Sequence, residues 1–535
     1  MERDARCGIR DVRVITFGYV IPLFILCLFL SLNTVAQSRR GFYNWAYAGM
    51  AAHEDEKASQ KTPVFAVSAY GALPNDKLDD IAGIQAAVDA ASAAGGGLVL
   101  LDRGQYDFDV QTTRRFVWVQ SSGIHIRGYG DGADGTLLVD HHPSPTPVEG
   151  KPWLAGMAPA FFLFSPHALE VEKDSLSTYH RKLGLLEPTR FNRRWVEWAS
   201  ATPLAVQPGQ MLLLTGQDPG DSSLLFSVTY PLRATVGRNL RWLTGDDKYK
   251  FRQGVWVERV VGNRLYLSSP VAWSLKAEHL PTLWQPAKVL TDCRVEAMRM
   301  ETTWRTPFVH HLNGEHDNGH DAIKMVMTAQ SRVAYVHMER VTTAIGLHNC
   351  AHITVEDVRL AGPQMHNGFV VGGYTSSCLL TRLIGGQQMH TWSFNNYATG
   401  NVFYNCQGLD PSAVDVHGGL GVYNLIDNLR GGVLRWGGGP GNTPPGIGRG
   451  LTFWNWRQGT LDPYNGRVYS QAFTLLHTPG LQAIGVYGAL GQPLYYTTPD
   501  GKKTKSRYTS VWGRVRGFGE PPKRGSLYMW QVSRR

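Results

Sequence analysis

The chain has 535 residues, 43% of them hydrophobic and 18% charged, which is too apolar for a disordered protein and too polar overall for a multi-span membrane protein. Its 59 glycines favour turns and strands over long helices. The formal net charge of +10 suits an anionic partner, but no run of basic residues points to nucleic acid or an anionic membrane, so an acidic polymer is the better reading.

Residues 14–32 form a stretch of 19 without a charge, preceded by Arg3, Arg6, Arg10 and Arg13 and followed by Thr34-Val35-Ala36. This reads as a secretory signal over 1–36, cleaved near Ala36. An uncleaved anchor is the alternative, since such a length just spans a bilayer. Either way the remainder is exported, to a periplasmic or extracellular location. Residues 37–61 are polar and read as a linker.

Next comes Tyr70-Gly71-Ala72-Leu73-Pro74-Asn75-Asp76-Lys77-Leu78-Asp79-Asp80, then an Ala-rich stretch over 81–94. Ile81, Ile84, Val88 and Ala91 share one helical face. Asp79 and Asp80 are placed to cap this helix, and Gly95-Gly96-Gly97 ends it. The strand Leu98-Val99-Leu100-Leu101 and Arg103-Gly104-Gln105-Tyr106 follow, then Ile124-His125-Ile126-Arg127-Gly128-Tyr129-Gly130.

In order and residue type this segment resembles the opening of the pectate-lyase-like, right-handed parallel β-helix superfamily, in its rhamnogalacturonase/epimerase-type N-terminal pattern. The Asp pair, the Ile84-Gln85-Ala86-Ala87 run, the triple Gly and Gly104-Gln105-Tyr106 match. Asn75-Asp76 stands where the family has Asp-Gly. The resemblance implies an all-β fold, a single-stranded right-handed parallel β-helix, with residues 62–144 supplying an N-terminal capping helix and the first coils. It implies extracellular carbohydrate chemistry, in a superfamily of lyases, glycoside hydrolases, epimerases and non-enzymatic surface proteins. Calcium is common in the lyase branch, so Ca2+ is the cofactor to consider. The family's polygalacturonase and pectate lyase signatures are missing from 320–460, so no catalytic residue carries over.

Residues 145–290 leave the coil pattern. Gly262-Asn263 between apolar runs predicts a hairpin, and the segment reads as a β-rich insertion. Its Arg190, Arg193, Arg194, Trp195 and Trp198 read as a solvated basic loop, with contact to an acidic glycan as the alternative.

Residues 291–535 are expected to hold the main β-helix, its groove and a C-terminal extension. Gly362, Gly385, Gly408 and Gly431 are 23 residues apart, with Leu360, Leu383, Cys406 and Leu429 two positions before them. One apolar column at a fixed period is what stacked coils require. Cys350, Cys378 and Cys406 are 28 apart instead, and read as buried free thiols. With Cys293 they are too few for a disulfide scaffold, and no CxxC supports a zinc site. His310, His311, His316, His320 and Asp321 can bind metal, but the spacing matches no common motif and the stretch reads as a loop.

Counted from the repeat glycines, His366, His390, Asp415, His417 and Arg435 fall in one short stretch of successive coils. In Val414-Asp415-Val416-His417, inward valines put Asp415 and His417 on one outward face. These five are the candidate catalytic residues. Arg382, Trp392, Tyr423, Trp436 and Trp454 are the candidate substrate-binding residues, through carboxylate pairing and sugar stacking. Residues 436–446, rich in Gly and Pro, read as a loop beside the site.

A polysaccharide lyase acting on a uronate polymer by β-elimination is the leading expectation, working as a monomer. It needs a base, an acid and a carboxylate neutraliser, and the histidines and Arg435 fill those roles. The alternatives are an inverting, polygalacturonase-like hydrolase pairing Asp415 with Asp410 or Asp427, and a non-catalytic glycan-binding β-helix.

Overall fold

The computed structural model describes residues 42–50, 62–109, 116–142, 147–148, 151–155, 161–167, 176–202, 204–232, 249–303, 305–310, 312–313, 316–317, 319–435, 445–489, 494–510 and 512–535. The signal reading of 1–36 and Trp436 lie outside them. Among the described residues, no helix is long and apolar enough to cross a membrane.

Two parallel sheets carry the chain from coil to coil. One has eight parallel strands in the order Val433–Arg435, Ala413–His417, Gln388–Asn395, Met365–Gly372, Thr343–His348, Asp321–Val326, Phe162–Phe164 and Val117–Val119. The other is an 18-stranded sheet, parallel except at its C-terminal hairpin. Strands of the two sheets alternate along the sequence, so each coil adds one layer to both. This is a parallel β-helix. Its core is the inward column of each sheet, such as Ile345, Phe369, Trp392, Val414 and Leu434, all buried.

The 23-residue period is seen in the register. Leu379, Val402 and Leu425 are aligned strand to strand, as are Leu380, Phe403 and Ile426. Gly385 pairs with Gly408. The step before is longer, because Arg359 pairs with Ile384, so Gly362 stands outside the Gly385 column. Leu360, Leu383, Cys406 and Leu429 are nevertheless all buried. Asparagines hold the turns together. Asn401 Oδ1 accepts from Cys378 N at 3.0 Å, and Asn424 Oδ1 accepts from Asn401 N at 3.1 Å, one coil further on. An outer ladder joins Asn405, Asn428 and Asn455, each with positive φ, which asparagine tolerates. All four described cysteines are free and buried.

The helix Ile81–Ala93 packs against the first strands and buries Ile81, Ile84, Val88 and Ala91. Its aspartates do not cap it. Asp80 accepts from Asp107 N at 2.8 Å and Asp79 from Asp109 N at 3.0 Å, so both tie the helix to the first coil.

The insertion is a six-stranded antiparallel sheet drawn from His180–Leu185 through Thr282–Pro286. Its hairpin turns at Gly262, where φ is 57°. Phe162–Phe164, placed in the insertion by the sequence reading, is a β-helix strand paired with Val117–Val119. The arginines of this region mostly stack internally: Arg193 and Arg264 lie over Trp195 at 4.2 and 4.5 Å, and Arg194 over Tyr47 at 3.9 Å. Residues 43–50, read as linker, are packed instead, with Tyr43 and Trp45 buried.

Candidate active site

The site forms on the outward face of the eight-stranded sheet. The row Lys324, Gly346, Val370, Ser393, Asp415, Arg435 runs across consecutive strands in register. Neighbours in such a row are roughly 4.8 Å apart. Val414 and Val416 are fully buried, as their alternation requires, so Asp415 and His417 project outward together. Strict alternation would send His390 inward with Trp392. Thr391 between them is buried and its hydroxyl donates to Gln388 O at 3.0 Å, and His390 nevertheless stands beside Asp415, with 3.5 Å between Nδ1 and Oδ2.

Asp415 is the hub. Its Oδ2 accepts from His417 Nδ1 at 2.9 Å and lies 2.9 Å from Ser393 Oγ. His390 Nδ1 stands 3.5 Å away, an ionic rather than a hydrogen-bonding distance. Burial alone would raise the Asp415 carboxyl, but the charges of His390 and His417 outweigh it and hold it well below the usual range. Burial alone would lower His417, but Asp415 outweighs it and raises that imidazole above its ordinary value.

Around this hub the rings converge. His366 lies 5.3 Å from His390 between centroids, His417 lies 5.6 Å from it, and His310 lies 5.0 Å from His366. Asp317 Oδ1 stands 2.5 Å from His366 Nδ1, with both side chains buried. Tyr464 faces His390 at 6.1 Å. Arg435 lies over the Tyr464 ring at 4.1 Å and donates to Asp462 at 2.6 Å. Burial, with Asp415 adding to it, pushes the Tyr464 phenol up to about 12.

All five sequence-predicted catalytic residues are therefore gathered in one place. The four predicted substrate-binding residues among those described are not. Trp392 is fully buried and stacks on Phe369 at 5.3 Å. Tyr423 packs against Tyr43 and Phe191 at 5.7 and 4.6 Å. Trp454 is nearly buried and donates to Arg524 O at 2.8 Å. Arg382 lies at a turn of the other sheet, paired with Glu356 and Asp357. Trp392 fills the coil interior, while Tyr423 and Trp454 are taken up by packing against other parts of the chain, which composition does not reveal.

Tyr464, Asp317 and Ser393 were missed. Asp462-Pro463-Tyr464-Asn465-Gly466 is a plain turn signature, but nothing in it says where the turn lands. Of the described histidines in the histidine-rich stretch, His310 joins the site. His316 Nδ1 lies 3.0 Å from Pro307 O, His320 is buried against Asp140 at 2.6 Å, and His311 lies outside the described residues.

The hydrolase's second carboxylate is engaged elsewhere. Asp410 Oδ2 accepts from Thr460 N and Oγ1 at 3.0 and 2.6 Å. Asp427 belongs to the other sheet and accepts from Tyr528 N at 2.7 Å. Two groups among the described residues can hold a metal, His310–His366–His390 and His390–Asp415–His417. Neither has the oxygen-rich shell that Ca2+ prefers.

No protein-family model matches the chain. Over 76 residues, 14% of the chain, it is 42% identical to mannuronan C5-epimerase AlgE2 of Azotobacter vinelandii. Over 77 residues it is 57% identical to AlgE3 of the same organism. These matches span only 8% and 4% of those proteins' lengths. Among solved structures, the tailspike gp61 of Pseudomonas phage phi297 aligns with a TM-score of 0.51 at 14% identity, covering 82% of this chain and 67% of that one. That likeness agrees with the β-helix fold.

Proposed function

We propose that this protein is an exported enzyme that removes the proton α to the carboxylate of a uronate residue in an acidic polysaccharide, and cleaves the chain by β-elimination. The observation that carries this reading is the convergence of the Asp415–His417 pair, Tyr464 and Arg435 on one outward face. His417, with Nδ1 on Asp415, presents Nε2 as the base. The C5–H bond breaks, its proton goes to Nε2, and the electron pair forms the C4=C5 double bond. The bond from C4 to the glycosidic oxygen breaks, and Tyr464 protonates that oxygen. The Tyr464 phenol is held in its protonated form, as an acid must be. Arg435 supplies positive charge to the carboxylate.

The local identity to mannuronan C5-epimerases supports a uronate substrate and favours a second reading, C5 epimerisation. Both reactions share the first step and differ in whether the carbanion expels oxygen or is reprotonated on the opposite face. The test is to incubate the protein with polymannuronate and other polyuronates in deuterated water. Ultraviolet absorbance from an unsaturated uronate means elimination. Deuterium at C5 without that absorbance means epimerisation. Absence of both across the panel overturns the proton-abstraction reading and favours a binding protein.

A further inference from the structure

We propose that His310, His366 and His390 form a binding site for one divalent cation of the Zn2+ or Co2+ class. A ligand atom from each histidine lies within 4.8 Å of the other two. Their ring centroids form a triangle with sides of 5.0, 5.3 and 6.0 Å. Ligand nitrogens on a tetrahedral zinc stand roughly 3.3 Å apart, given bonds of ~2.05 Å. Small side-chain rotations bring the three into that range.

Two of the three imidazoles are backed by buried carboxylates. Asp317 faces His366 Nδ1 at 2.5 Å, and Asp415 faces His390 Nδ1 at 3.5 Å. A carboxylate behind one ring nitrogen fixes the tautomer and turns the other nitrogen outward, the usual support for a metal-bound histidine. His390 Nδ1 is itself buried without a hydrogen bond among the described residues, and a small rotation of its ring closes the 3.5 Å gap to Asp415 Oδ2.

Imidazole donors select Zn2+, Co2+ or Ni2+ over Ca2+ and Mg2+. The alternative set, His390–Asp415–His417, is less suited, because Asp415 already bonds His417 and Ser393. The site adjoins the proposed base, His417 lying 5.6 Å from His390 between centroids, and a bound ion there would add to the positive charge that Arg435 offers a substrate carboxylate. That last consequence rests on the proposed function; the binding does not.

The test is calorimetric titration of the EDTA-stripped full chain with Zn2+, and absorption spectroscopy with Co2+. One Zn2+ per chain is expected, with Co2+ bands of a nitrogen-ligated site and no displacement by equimolar Ca2+. His310→Ala, at a partly exposed position, should weaken binding at least tenfold with an unchanged metal-free Tm. Asp317→Asn should weaken it roughly tenfold to a hundredfold. His417→Ala should keep it. No saturable binding by the wild-type chain, binding that survives His310→Ala, loss on His417→Ala, or equal affinity for Ca2+ would each overturn the site. Activity is not needed for any of these readings, so failure of the lyase or epimerase reading stays separate.

Discussion

Asp415 and His417 stand two residues apart on one strand, and their side chains meet, with 2.9 Å between Oδ2 and Nδ1. Asp415 is fully buried while the His417 side chain is 31% exposed. A buried anion thus grips the rear nitrogen of an imidazole that reaches solvent. Side chains that alternation alone would leave separate are drawn together at the one place on this face where chemistry is proposed.

That grip sets a pH dependence. Asp415 raises His417 above its ordinary 6.5. A base works only when neutral, so kcat/KM should climb as pH rises through the raised value. Asp415→Asn removes the anion and leaves burial, which lowers the imidazole. The midpoint should then move to lower pH, and the plateau should fall by about a hundredfold or more. A profile measured on both proteins checks this, and an unmoved midpoint would count against His417 as the base.

Tyr464 offers a cleaner separation of chemistry from fold. It is 38% exposed on a turn, so Tyr464→Phe removes one oxygen and little packing. Turnover should drop about a hundredfold, with KM and Tm nearly unchanged. Unaltered kcat would remove it as the acid.

Trp392 should behave in the opposite way. It fills the coil between Phe369 and Phe403. Trp392→Ala should cost about 3–5 kcal/mol of stability, measured by urea unfolding. A stable variant with weakened polysaccharide binding would restore the stacking role expected from sequence.

The inner asparagine ladder carries a further prediction. Asn424 accepts from Asn401 N and donates to Ala398 O at 2.8 Å. Asn424→Ala strands buried backbone groups and should cost about 1–3 kcal/mol. A urea midpoint within error of wild type would show that other groups replace the amide.

These contrasts explain what could be read from sequence. The 23-residue column and the Val414–Val416 alternation are local patterns, so the β-helix and the outward Asp415 and His417 were legible. The approach of His366, His390 and Arg435 was legible only as a shared short stretch of successive coils, since their offsets from the repeat glycines differ and His390 departs from strict alternation. Tyr464 and Asp317 reach the site from loops, whose landing point no period encodes. Trp392, Tyr423 and Trp454 gave the wrong answer because the same ring suits a sugar and a contact within the protein, and only its packing tells the two apart. Gly362 kept the arithmetic spacing yet left the Gly385 column, because one coil is longer than its neighbours.

The stacked register of Leu379, Val402 and Leu425 means that a coil of this region is an interchangeable part: one more of the same length would meet the same partners above and below. The site has no such freedom. His390, Asp415 and Arg435 come from three successive strands, one apiece. An extra coil between Asn395 and Ala413 would keep a sound interior yet part His390 from Asp415 by one strand spacing, roughly 4.8 Å. Packing tolerates a change in the number of turns here, and it is the division of the cluster among consecutive turns that makes their count matter.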